Sequence, residues 1–150
     1  MVTVSDVFEY LNSVAPVSTK MDFDNVGLLV GRGSREVTKI LTALDITSNV
    51  VQEAISIGAE LVVSHHPLFF SLKKVSDDDV TGRKILSLAE NNISAICMHT
   101  NLDVAQCGVN TNLATTVGIQ SPKLLIDEGL NEFGESYGLG CFGELEDSVR

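Results

Sequence analysis

Leu61-Val62-Val63-Ser64-His65-His66-Pro67 and, further along, Ile93-Ser94-Ala95-Ile96-Cys97-Met98-His99-Thr100-Asn101-Leu102-Asp103 decide how this chain is read. Each opens with a short apolar, partly β-branched run and ends in side chains able to bind a metal or move a proton. Between the runs lie a loop and a segment with helical spacing, so the natural reading is strand–helix–strand. With the usual right-handed crossover the two strands are parallel, and residues just past their ends emerge on one edge of the sheet. All three histidines of the chain and one carboxylate then meet on a single rim.

Working outward, Thr3 to Val14 reads as an amphipathic helix. Val4, Val7, Phe8, Leu11 and Val14 recur at helical spacing, Thr3 can cap the start and Pro16 closes the end. Asp24-Asn25 reads as a turn, and Gly27 and Gly31 bracket a short apolar strand. Val37 to Leu44 is a second strand running into Asp45, which is either an acceptor that fixes the loop or a site residue. Ser48 is expected to cap a helix that runs through Ile57 and stops at Gly58. Pro67 to Asp79 has no period and reads as a long loop over the rim, its aspartates a solvated turn. Thr81 to Asn92 is a helix, Asn110 to Val117 a weaker one, and Lys123–Ile126 a strand. The expected architecture is α/β and layered, with helices packed on a mixed, largely parallel sheet.

The totals narrow the function classes. A hydrophobic share of 44% and a mean hydropathy of +0.21 describe a chain able to bury a core. Twenty acidic against ten basic residues give a net charge of −10, which disfavours binding to a phosphate backbone. No apolar run is long enough for a membrane span, and the start lacks the pattern of an export signal, so a cytoplasmic protein is expected. Cys97, Cys107 and Cys141 are odd in number and lack Cys-x-x-Cys spacing, which fits buried thiols in a reducing compartment.

The chemistry follows from the rim. Pro67 cannot continue a central strand, so His65 and His66 sit where the backbone leaves the sheet. Neutral imidazole suits zinc, iron, manganese or nickel, and Asp103 adds a hard oxygen. Two adjacent histidines and a carboxylate able to bridge point to two divalent ions, which together activate water and neutralise charge on a phosphate or carbonyl. The plainer alternative has the histidines satisfied by backbone carbonyls and Asp103 capping a helix. His99 has three open roles: orienting a ligand, shuttling a proton, or acting as a third ligand. Gly138-Leu139-Gly140-Cys141-Phe142-Gly143 matches the dinucleotide-binding spacing, but without a clear preceding strand it reads as a segment where backbones approach closely. Cys97, inside a strand, is expected to be inert.

Several blocks together resemble one family. Asp24-Asn25-Val26-Gly27-Leu28, Ala43-Leu44-Asp45-Ile46-Thr47, Ser64-His65-His66-Pro67-Leu68, His99-Thr100-Asn101-Leu102-Asp103 and Gly138-Leu139-Gly140-Cys141-Phe142-Gly143-Glu144-Leu145 occur in the order seen in NIF3-like proteins, also known as GTP cyclohydrolase I type 2. The resemblance implies a dinuclear site between two similar halves, with His65, His66 and Asp103 as ligands to two divalent ions. Around them His99 and Asp45 would assist catalysis. It further implies hydrolysis of a small nucleotide-type substrate and assembly into a homo-oligomer, commonly a toroidal hexamer. The family completes its site with a His-x-x-x-Glu pair near the C-terminus, and this chain has no histidine after His99. Residues 1–150 are therefore expected to be one α/β unit equivalent to the N-terminal half, inactive or nearly so alone. Two smaller departures are Phe23 in place of tryptophan and Cys141 in place of arginine; the second removes a side chain able to bind an anion.

Overall fold

The computed structural model describes residues 1–145. Its centre is a four-stranded sheet in the order β1-β4-β3-β2, built from β1 (Gly27–Val30), β2 (Ile40–Ala43), β3 (Leu61–Ser64) and β4 (Ser94–Cys97). Strands β2, β3 and β4 are parallel, with Leu61 opposite Ser94 and Ser64 opposite Cys97, and β1 runs antiparallel to β4 at the edge. The first two strands, consecutive in the chain, thus occupy opposite edges of the sheet.

Alternation along the strands divides the core in two. Val62 and Ala95 face one side, where α2 (Ser48–Ile57) and α3 (Val80–Glu90) cover them with Val51, Ala54, Ile85 and Leu88. Leu61 and Ile96 face the other, against Val4 of α1 (Val4–Val14). Crossovers of one hand put α2 and α3 on the same face. The result is a helix–sheet–helix sandwich.

Local chemistry explains the helix ends. Thr3 and Asp6 form a reciprocal capping box at α1. At α2 the cap is Thr47, one residue before the expected Ser48, its hydroxyl accepting from the Val50 amide. Gly58 ends that helix in the left-handed conformation at φ 67°. Helix α3 begins at Val80, capped by Asp79, so one of the three aspartates read as a solvated turn has a structural task. Strand β2 is shorter than the expected Val37–Leu44: Val37 pairs with Val2 instead, and Glu60 gathers the Thr38 and Lys39 amides.

Beyond the rim the chain forms α4 (Thr100–Val104), α5 (Val109–Thr116) and a long antiparallel hairpin, β5 (Ile119–Leu130) with β6 (Ser136–Leu145). The helix α4 was not foreseen, and β5 extends well past Lys123–Ile126. The glycine-rich block lies in β6, where a Cβ on Gly138 would collide with the Ile126 carbonyl. It serves close strand pairing. Among the described residues, no helix is long and apolar enough to cross a membrane.

Candidate metal centre

The rim is assembled from the C-terminal ends of three parallel strands. After Ser64 the backbone stays beside β2 for two more residues, as the His65 and His66 amides donate to the Ala43 and Leu44 carbonyls. The Ser64 hydroxyl then donates to the His66 carbonyl and the Cys97 thiol to that of His65, which fixes the bend. His99 follows β4 and directly precedes α4. The three rings pack closely, with centroids 5.0, 5.1 and 5.6 Å apart. The ring nitrogens they offer lie within 4.8 Å of one another.

Each ring is held by a different segment, always through Nδ1. His65 Nδ1 lies 3.1 Å from the Met98 carbonyl oxygen, His66 Nδ1 2.8 Å from Asp45 Oδ1, and His99 Nδ1 2.9 Å from both Asp24 oxygens. A carbonyl and a carboxylate only accept, so the hydrogen of each neutral ring resides on Nδ1. That leaves the lone pair of every Nε2 available to a cation. An acceptor on the far nitrogen fixes ring orientation and increases ligand basicity, as at metal-binding histidines generally. The donor set therefore fits a divalent ion of the zinc, iron, manganese or nickel type.

Asp103, in α4, places Oδ1 3.6 Å from His65 Nε2. That is too long for a hydrogen bond and short enough for both atoms to reach one ion about 2.1 Å away. Asp45 touches His66 and is half exposed. All five residues singled out in the sequence thus lie at one rim. His99 joins the other two imidazoles in the cluster, whereas Asp103 approaches only one of them.

Asp24 is the residue that sequence reasoning missed, having been read as part of a turn. It is buried, and it accepts from His99 and from the Thr100 amide and hydroxyl. Burial alone would raise its pKa. The hydrogen bonds from Thr100, His99 and Asn25 outweigh burial and hold the carboxyl below its ordinary value. The only sequence signal was its place in the Asp24–Leu28 block. Nearby, burial lowers the Lys84 pKa and the Asp45 charge partly offsets this; its ammonium donates to the Ile46 carbonyl. The loop from Pro67 covers the rim as expected, anchored by the Asn25 amide on the Phe69 carbonyl, and brings Phe70 within 6.1 Å of His99.

Comparison with known proteins places this arrangement. The chain matches the family model Duf34/NIF3 (NGG1p interacting factor 3) over residues 2–150. It is 43% identical over 116 residues to a Clostridium perfringens protein named GTP cyclohydrolase 1 type 2 homolog, covering 77% of this chain and 44% of that one. A Clostridium acetobutylicum protein of the same name is 36% identical over 147 residues, 97% of this chain and 54% of the relative. The chain spans about half the length of the curated relatives it matches. The solved structure of a Bacillus cereus protein related to NIF3 superposes with a TM-score of 0.79 at 36% identity, over 85% of this chain and 36% of that one. Sequence and fold agree, and the chain belongs to the Duf34/NIF3 family.

Proposed function

We propose that this chain provides one side of a dinuclear metal centre in a hydrolase acting on a small nucleotide-type substrate. The observation that carries the reading is the set of three converging imidazoles, each with Nδ1 engaged and Nε2 open. His65, His66 and Asp103 would hold the ions, Asp103 reaching in from the His65 side. When bound, two divalent ions supply Lewis acidity, activating water and neutralising charge on the substrate. Asp45 orients His66. His99, oriented by Asp24, accepts a proton at Nε2 from the group that attacks. Phe70 and the loop from Pro67 shield the rim from bulk water.

Relatives bearing the name GTP cyclohydrolase 1 type 2 homolog support the substrate class, and their greater length supports a centre completed by ligands beyond this chain. A non-catalytic metal-binding or regulatory module is the second reading. It is favoured by a site that offers, among the described residues, three imidazoles and one carboxylate, Asp103, beside an open Nε2.

Metal analysis beside a hydrolysis screen of nucleotides separates the readings. The expected result is bound divalent metal that a His65→Ala/His66→Ala variant loses. This chain alone should give little turnover, and a version with the length of its relatives should give clear turnover. A version with the length of its relatives that retains no metal from micromolar solution overturns both readings. Stoichiometric metal without turnover in any longer version favours the module.

A further inference from the structure

The other end of the sheet holds a cavity of about 390 Å³ lined by Gly31, Arg32, Arg35, Asn92 and Ser94, among others. Ser94 opens β4, whereas His99 follows its far end, and Val30 of the antiparallel β1 pairs with Ala95. At roughly 3.3 Å per residue, the four to five residues of strand put about 13–17 Å between this cavity and the histidine rim. The two sites share no residue.

The lining offers donors. Arg32 and Arg35 share the cavity, yet among the described residues neither guanidinium has a carboxylate within ion-pairing distance; the ion pairs there all involve histidine or Lys74. In a chain with 20 acidic and 10 basic residues, two unpaired guanidiniums in one cavity are a notable arrangement. Arg35 Nη2 donates to Asn92 Oδ1 at 2.7 Å, which fixes the fork and leaves the Asn92 amide nitrogen free to donate. Asn92 is held in the left-handed region at φ 60° where α3 ends.

The second observation lies in the cavity wall. Ser94 is 1% exposed, and its hydroxyl is the one buried side-chain polar atom without a partner among the described residues. Buried hydroxyls are nearly always paired, so this orphan stands out in the wall of a donor-lined cavity. Gly31 packs against that hydroxyl: its φ is 104°, and a Cβ there would lie 2.7 Å from Ser94 Cβ and overlap the oxygen.

Guanidinium forks and an amide, with no carboxylate in the lining, complement a tetrahedral oxyanion. The volume exceeds that of one phosphate and falls in the range of small-molecule pockets. We propose that this cavity binds a phosphate-bearing small molecule, with Arg32 and Arg35 gripping the phosphate oxygens and Asn92 donating to those left over. The site is independent of the metal centre and does not rest on its reading.

Amide NMR titration of the chain in excess chelator, which silences the rim, tests this. The probes are inorganic phosphate, glycerol 3-phosphate, and chloride at matched ionic strength. Saturable shifts are expected at residues 31–35 and 92–94, with affinity reduced about tenfold or more by Arg32→Ala or Arg35→Ala. Arg32 is exposed, so its variant keeps the fold. Tighter binding of the ester assigns the site to a phosphorylated metabolite, and tighter binding of inorganic phosphate assigns it to the free ion. Equal response to chloride, shifts mapping to residues 65–66 and 99, or unchanged affinity in Arg32→Ala would overturn the proposal. So would stronger binding of a short DNA duplex than of either phosphate probe.

Discussion

Asp24 and Asp45 do similar work on different rings, and their surroundings make them separable. Asp45→Ala removes a half-exposed acceptor from His66, so metal affinity should fall about 10–100-fold while thermal stability stays nearly unchanged. Asp24→Ala empties a buried position that also fixes Thr100, and should lower both metal affinity and melting temperature. Metal titration and differential scanning calorimetry on the two variants check the contrast. Cysteines offer a second residue-level test. Burial, with the Asp24 charge adding to it, pushes the Cys97 thiol up to about 12. A thiol reagent at pH 8 should label the exposed Cys107 promptly and reach Cys97 only on unfolding, as mass spectrometry of the labelled peptides would report. The histidines and Asp103 were legible in the sequence because strand ends in parallel register must share an edge. The groups that orient the rings were less legible: one is a backbone carbonyl at Met98, which no side-chain pattern encodes, and another is Asp24, distant in sequence from the ring it holds.

At the scale of elements, the helices followed from periodicity, because α1, α2 and α3 each bury one apolar face. Ends were less legible, since adjacent Thr47 and Ser48 both qualify as caps and packing decides between them. The start of β2 shows why the expected strand was too long: Glu60 takes the Thr38 and Lys39 amides and so replaces ladder partners with a carboxylate. Those hydrogen bonds lower the Glu60 pKa below its ordinary value of 4.5. A depressed folded-state pKa stabilises the fold above pH 4.5 and loses that effect as the pH falls through the lowered value. Urea unfolding across a pH series should therefore show wild type more stable than Glu60→Gln at pH 7, with the gap closing in acid. The hairpin was hardest to foresee, because β5 and β6 leave Leu125, Ile126, Leu130 and Phe142 exposed and carry no clean inside–outside alternation. A long ribbon exposing this much apolar surface should drive self-association, detectable as concentration dependence in sedimentation velocity; a monomer throughout would count against it.

At the scale of the molecule, the sandwich and its rim were readable because short apolar runs alternating with helical segments admit few topologies. The core is small enough for single side chains to matter. Leu88, fully buried against the sheet, should cost about 2–5 kcal/mol when replaced by alanine, as chemical denaturation would measure. The three ring-holding contacts have a further consequence, because they tie together segments far apart in the chain: the turn at Asp24, the ends of β2 and β4, and the bend after β3. Any cation seated there acts as a staple as well as a reagent, since it favours only the conformation in which all these segments are gathered. Stripping it with a chelator should then speed hydrogen exchange at the strand ends and leave the opposite end of the sheet, around Gly31 and Ser94, unaltered.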